Sequence, residues 1–149
     1  MHIDAPPDRV YDLVSDVTKM GDWSPECHRC HWVGGATGPE VGARFRAWNR
    51  RSLLRWSNKP TVVAANRGHE FAFSRRSPGA GEVVWRYRLR PDGGGTRLTE
   101  SYEAVRRASP AVIWLTLRLM RISDREADLR QAMASTLGRI KARAESATT

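Results

Sequence analysis

The feature that most constrains this chain is a two-residue alternation near its middle. Trp85, Tyr87 and Leu89 interleave with Arg86, Arg88 and Arg90. Successive side chains of a β-strand point to opposite faces, so the pattern calls for a strand with one apolar and one solvated face. Leu98, Glu100 and Tyr102 oppose Arg97, Thr99, Ser101 and Glu103 in the same way, Phe71 shares a face with Phe73, and Ala43, Phe45, Ala47 and Asn49 form another set. Strands are expected at 27–33, 41–50, 54–66, 69–76, 82–90 and 95–105. Between them lie Gly34-Gly35 to Gly38-Pro39, Asn66-Arg67-Gly68, Pro78-Gly79-Ala80-Gly81 and Asp92-Gly93-Gly94-Gly95, which carry residues that accept positive φ. Consecutive strands joined by such short turns imply an antiparallel meander.

Both ends of the chain change period. Ala5-Pro6-Pro7-Asp8 suits a helix entry, since proline is tolerated in the first turn, and Val10, Leu13, Val14 and Val17 follow at helical spacing. Gly21 and Pro25 bracket the end of this region. Beyond Pro110 the period is helical again. Ser123-Asp124-Arg125-Glu126 fits a capping box, and Leu129, Met133, Thr136, Leu137, Ile140 and Ala144 then form one stripe. Val112 to Ile122 is more uniformly apolar and reads as a buried lead-in helix, or as the first half of one long helix. A sheet with one apolar face needs a cover, and the C-terminal helix is the only element large enough. The expectation is an α+β helix-grip fold: a curved antiparallel sheet wrapped around a long C-terminal helix, with short N-terminal helices and an internal cavity where small molecules could bind.

Composition narrows the function classes. The 149 residues and 16.8 kDa fit a single domain spanning 1–149, with residues 146–149 expected to be disordered. No apolar run approaches a membrane span, and Met1-His2-Ile3-Asp4 does not resemble a secretory signal. With two cysteines and no disulfide framework, a reducing, cytoplasmic setting is expected. Net charge is +9, but 22 of the 25 cations are arginines, a skew that fits a GC-rich coding sequence as well as it fits a polyanion partner. Nucleic acid is therefore not the favoured partner. The chain has no phosphate-binding loop, no G-x-S-x-G elbow and no H-E-x-x-H.

Ile3-Asp4-Ala5-Pro6 with Val10, Asp16, Trp23 and Pro25, followed by Val41-Gly42-Ala43-Arg44-Phe45, resembles the polyketide cyclase/dehydrase family of the START-like (SRPBCC) superfamily. Trp56, Glu70-Phe71-Ala72-Phe73, Trp85-Arg86-Tyr87, Gly95-Thr96-Arg97-Leu98-Thr99-Glu100 and Thr136-Leu137 extend the resemblance over nearly the whole chain. It implies the helix-grip fold and a hydrophobic cavity. Its members include aromatase/cyclases, lipid and sterol carriers and hormone receptors, so it leaves the chemistry open. Members usually begin with a full strand before the Ile-x-Ala-Pro segment, whereas here only Met1 to Asp4 precede it. A start further upstream and an edge covered in a homodimer both fit that departure.

Cys27-His28-Arg29-Cys30-His31 is a literal C-x-x-C-H string. In a regular strand Cys27 and Cys30 point to opposite faces, which argues against haem attachment and against a metal site. In a loop the two cysteines and a histidine could still hold a metal or act in redox chemistry, but ordinary strand residues are the favoured reading and no cofactor or metal is expected. Glu100 shares the inward face with Leu98 and Tyr102. Burial raises a carboxyl's pKa and fits it for proton transfer, so Glu100 with Tyr87 is the candidate catalytic pair, Tyr102 being a further tyrosine within range. The favoured reading of Glu100 is nevertheless a structural carboxylate bonded to Asn49, Tyr87 or an arginine, because no nucleophile or oxyanion donor set converges with it. Candidate ligand-binding residues are Phe45, Asn49, Phe71, Phe73, Trp85, Tyr87, Leu98, Glu100, Tyr102, Met133 and Leu137. The primary expectation is binding of a small hydrophobic molecule, lipid- or polyketide-like. A cyclase or dehydratase acting through Glu100 is the alternative. Arg44, Arg46, Arg50, Arg86, Arg88 and Arg90, with Arg75 and Arg76, are expected on an outer basic face suited to an acidic carrier protein, an anionic membrane or, as a third reading, nucleic acid.

Overall fold

Glycine turns and one proline set several of the strand boundaries. The computed structural model describes residues 1–77, 79 and 81–146. In chain order the elements are β1 (His2–Ile3), α1 (Pro7–Ser15), a 3₁₀ segment (Val17–Asp22), β2 (Cys27–Val33), β3 (Arg44–Arg51), β4 (Leu54–Asn58), β5 (Thr61–Asn66), β6 (Glu70–Ser77), β7 (Gly81–Asp92), β8 (Gly95–Arg106), α2 (Pro110–Leu119) and α3 (Arg125–Ser146). The strands form one antiparallel sheet in the order β1-β8-β7-β6-β5-β3-β2, with β4 also paired to β3. The α+β helix-grip architecture is therefore the one observed: α3 lies against the inward face of a long antiparallel sheet, burying Thr136, Ile140 and Ala144.

Several expected boundaries move, each for a local reason. The segment 54–66 is two strands, because Pro60 has no N–H for the ladder and breaks it; its carbonyl instead accepts from the Phe45 amide at 3.2 Å. The strand expected from 41 starts at Arg44, since Gly42 adopts φ +90° before it. In the turn expected at 78–81, Gly79 and Gly81 take positive φ, while Pro78 and Ala80 lie outside the described residues. Gly81 is irreplaceable there, as a Cβ would stand 2.1 Å from the Arg106 carbonyl oxygen.

The N-terminus supplies only the two-residue β1, whose His2 and Ile3 pair with Arg97 and Thr96 of β8. The Met1 ammonium donates to the Leu98 carbonyl at 2.8 Å and extends that pairing by one residue. Proline at the first position of α1 opens that helix, and its Tyr11 ring meets Phe71 edge-on at 6.5 Å. Ile3, Val10, Val14, Trp23, Phe45, Val62, Phe71, Leu98 and Ile140 form the sealed centre of the core.

The C-terminal region departs most from expectation. α2 is a separate helix, neither buried nor continuous with α3. Trp114, Leu115 and Leu119 are 63%, 50% and 51% exposed on its outer side. It stops in a Schellman motif: Ile122 N–H donates to Leu117 O at 2.9 Å and Arg121 N–H to Arg118 O at 3.2 Å, with Arg121 at φ +55°. The next helix is capped by Asp124 instead of Ser123, its Oδ1 accepting from the amides of Glu126 at 2.9 Å and Ala127 at 3.0 Å. Ser146, expected to be disordered, is the last residue of α3; residues 147–149 lie outside the described residues. Among the described residues no helix is long and apolar enough to cross a membrane.

Candidate functional site

Antiparallel register assembles the site from three strands. Across the inward face, Phe71 pairs with Tyr87 and Tyr87 with Glu100; one row further, Phe73 pairs with Trp85 and Trp85 with Tyr102. Strand alternation keeps all six on one face. The Phe45 and Phe73 rings pack edge-on at 5.3 Å, as do Trp85 and Tyr102 at 5.0 Å. Between this aromatic surface and the helices lie two adjoining cavities. The inner one, about 140 Å³, is enclosed by Phe45, Ala47, Phe73 and Trp85 with Leu129 and Met133 of α3. The outer one, about 330 Å³, lies between Trp56, Trp85 and Tyr102 and the inner side of α2, which offers Val112, Ile113, Thr116 and Leu117, with Met120 just past its end. That volume falls within the range of roughly 300–1,000 Å³ typical of small-molecule pockets. Both are bordered by Glu26, Arg75, Trp85, Asp128 and Leu129, so the two cavities adjoin at these residues.

The inner cavity is also lined by polar groups. Tyr87 Oη donates to Glu100 Oε1 at 3.0 Å. Glu100 Oε2 and Asn58 Oδ1 are buried and have no hydrogen-bond partner among the described residues. Asn49 also borders this cavity. Burial raises the Glu100 carboxyl to about 7, only partly opposed by the Tyr87 hydrogen bond. Burial, and then the Glu100 charge beside it, push the Tyr87 hydroxyl well above its ordinary range. At neutral pH Glu100 is therefore populated both as acid and as carboxylate, and can donate or accept a proton through Oε2.

Of the residues expected to contact ligand, Phe45, Asn49, Phe73, Trp85, Tyr87, Glu100 and Met133 border the inner cavity, and Trp85 and Tyr102 border the outer one. Phe71 and Leu98 are sealed in the core and Leu137 packs against it, so these three stand apart from both cavities. Arg75, expected on the outer face, borders both cavities; its alternation with Phe71 and Phe73 already carried that signal. Arg44, Arg50, Arg76, Arg88 and Arg90 are exposed, while Arg86 is paired with Glu70 and Arg46 lies over the Trp48 ring.

Sequence reasoning missed the clamp at the cavity edge. Arg51, at the end of β3, donates to Glu26 Oε1 at 2.9 Å and to both carboxylate oxygens of Asp128 near the start of α3. Arg125 of α3 donates to the Tyr102 hydroxyl at 2.8 Å. Nothing local marks these partners, which meet only when α3 crosses the sheet.

The Cys27 and Cys30 side chains, expected on opposite faces, both point inward. The pairing of β2 with β3 runs Cys27 to Asn49 and then Arg29 to Trp48, leaving His28 as the extra residue of a bulge. One extra residue inverts the alternation. His31 remains outside, stacked at 4.8 Å on Trp48, so the histidine of the C-x-x-C-H string is separated from the thiols. Among the described residues no three His, Cys, Asp or Glu side chains gather as metal ligands.

Comparison with solved structures gives the same fold. A polyketide-cyclase-like protein of Corynebacterium glutamicum, determined by NMR in solution, is 31% identical, with 95% of this chain and 85% of that one covered and a TM-score of 0.60. An aromatase/cyclase from a Streptomyces species aligns over 100% of this chain and 92% of its own at 18% identity, with a TM-score of 0.72. A major latex-like protein of Panax ginseng aligns over 96% and 92% at 15% identity, with a TM-score of 0.70. No curated protein sequence matches. Residues 1–145 match the profile described as polyketide cyclase / dehydrase and lipid transport, and the chain belongs to that family.

Proposed function

We propose that this protein binds a small hydrophobic molecule, lipid- or polyketide-like, in the space between the sheet and α3, with its apolar body under α2 and an oxygen-bearing group at Glu100. One observation carries the reading. An aromatic-walled cavity is bordered by Glu100 and Asn58, whose buried oxygens Oε2 and Oδ1 no described protein group satisfies. Buried polar atoms are ordinarily paired; the orphan Asn58 oxygen suits a ligand hydroxyl or other donor, and the Glu100 carboxyl suits a ligand hydroxyl or, when protonated, a ligand carbonyl. The family's description, which names both cyclisation and lipid transport, agrees with this ligand class.

The test is retention of ligand by variants with opposite placement. Native mass spectrometry of freshly purified protein, with solvent extraction of any adduct, and titration with a fluorescent naphthol followed through tryptophan emission both read occupancy. Phe73→Arg introduces a charge into the inner cavity and is expected to abolish binding, at least about a hundredfold, since an unpaired buried charge costs several kcal/mol. Arg88→Glu, on the solvated face, is expected to leave binding unchanged. Equal loss in both variants defeats the proposal.

A second reading, a cyclase or dehydratase, is favoured by the carboxyl poised near neutrality. Glu100 would pass a proton to or from a carbonyl held within reach, and the shaped cavity would set the geometry of ring closure. Under this reading Glu100→Gln binds substrate and does not turn it over. Retained turnover in that variant removes Glu100 from the chemistry.

A further inference from the structure

The proposed function gives the two cysteines no chemical role, yet the fold brings them together. The His28 bulge turns both thiols inward, and Cys27 Sγ lies 3.3 Å from Cys30 Sγ. Both side chains are almost fully buried, at 4% and 5% exposure. Cys27 borders the inner cavity, and so does Met20, whose thioether lies 3.9 Å from Cys30 Sγ. Bulky thiols and protein partners are therefore excluded from the pair, while a molecule of a few atoms can reach Cys27 through the cavity. A bulge is a built feature that re-aims side chains. Without it these sulfurs would stand on opposite faces of the sheet.

We propose that Cys27 and Cys30 are an intramolecular dithiol that a hydroperoxide converts reversibly into a disulfide. Cys27, as thiolate, attacks the terminal peroxide oxygen. The O–O bond breaks, and the departing hydroxide takes up the proton that Cys27 released. This leaves Cys27 as a sulfenic acid and yields one water when the oxidant is hydrogen peroxide. Cys30 then attacks the Cys27 sulfur, the S–O bond breaks, and the expelled hydroxide takes the Cys30 proton as a second water. Two thiols lose two electrons and two protons, and the peroxide takes up both. The roles follow from geometry: Cys27 faces the cavity, and Cys30 lies beyond it against Met20. Hydrogen bonding from Cys30 lowers the proton affinity of Cys27, and the same contact together with burial raises that of Cys30, which agrees with Cys27 as the attacking sulfur and Cys30 as the resolving one.

The experiment uses the reduced, full-length protein. It is exposed to a small excess of hydrogen peroxide, quenched, denatured, alkylated with N-ethylmaleimide and weighed intact. The expected product has lost two hydrogens and takes up no maleimide, whereas untreated protein takes up two. Dithiothreitol restores both adducts, and peptide mapping joins position 27 to position 30. In Cys30→Ser the reaction is expected to stop at a Cys27 sulfenic acid that dimedone captures. In Cys27→Ser the remaining thiol is expected to react at least about tenfold more slowly than Cys27 does. Sulfinic acid at either position, covalent dimers, or two free thiols in a sample whose exposed Met1 has become sulfoxide would each overturn the proposal. The wild-type measurement alone decides between these, so it does not depend on either serine variant folding.

Discussion

At Glu100 the fold holds a carboxyl where its ionised form is poorly solvated, and that has a consequence for stability. Its folded pKa, about 7, stands above an ordinary value of 4.5, so between those values the folded state holds a proton that the unfolded chain releases. The sign follows directly. The contribution favouring the fold is complete below about pH 4.5 and is lost as pH rises through 7, reaching a difference on the order of 3 kcal/mol at alkaline pH. Glu100→Gln keeps the shape and removes the titration. Urea denaturation of the two proteins is expected to show the glutamine variant gaining relative stability from about pH 5 to pH 8, by about 1–3 kcal/mol. Parallel profiles would mean that Glu100 titrates as an exposed carboxyl.

The junction between α2 and α3 shows how an element boundary can be set without the residue that usually marks it. A helix commonly ends on a glycine in the left-handed region, and here Arg121 takes that conformation at φ +55°. Its Cβ makes the conformation costly, so Arg121→Gly is expected to stabilise the protein by about 0.5–1 kcal/mol, net of the added freedom of the unfolded chain. The cap on the other side distinguishes two neighbouring residues. Asp124→Ala removes the acceptor of two amides and is expected to cost about 0.5–2 kcal/mol, while Ser123→Ala is expected to be neutral. Chemical denaturation of the three variants checks the set, and a loss in Ser123→Ala equal to that in Asp124→Ala would restore the capping box read from the sequence.

Over the whole molecule, α3 is held at both ends by groups distant in the chain. At its start Arg51 joins Asp128 to Glu26; towards its end Arg143 pairs with Asp22 at 2.9 Å, Lys141 donates to the His2 carbonyl at 2.9 Å, and Glu145 accepts from the Asp4 amide at 2.8 Å. These contacts position the helix over the cavities. The Arg51 cluster is partly buried and bonded through two carboxylates, so a double-mutant cycle on Arg51 and Asp128 is expected to give a coupling of about 1–3 kcal/mol. The exposed Arg67–Asp12 pair, treated in the same way, is expected to give less than about 1 kcal/mol. Equal couplings would show that the Arg51 clamp is as solvated as the surface pair.

The residue pattern alone carried the antiparallel meander, most of its turns and the inward set that includes Phe73, Trp85, Tyr87 and Glu100. The alternation of a strand is covalent geometry and needs no tertiary contact. Its depth was another matter. Phe71 and Leu98 share that parity yet are sealed in the core, while Trp85 and Glu100 border cavities, because depth depends on where α1, α2 and α3 come to lie. The same limit explains further departures. The His28 bulge that unites Cys27 with Cys30 and the burial that shifts Glu100 arise from contacts between residues far apart in the chain, which local periodicity does not encode; the turn at the left-handed Arg121 that separates α2 from α3 closes on the nearby Leu117 and Arg118 carbonyls without the glycine that usually marks such a stop.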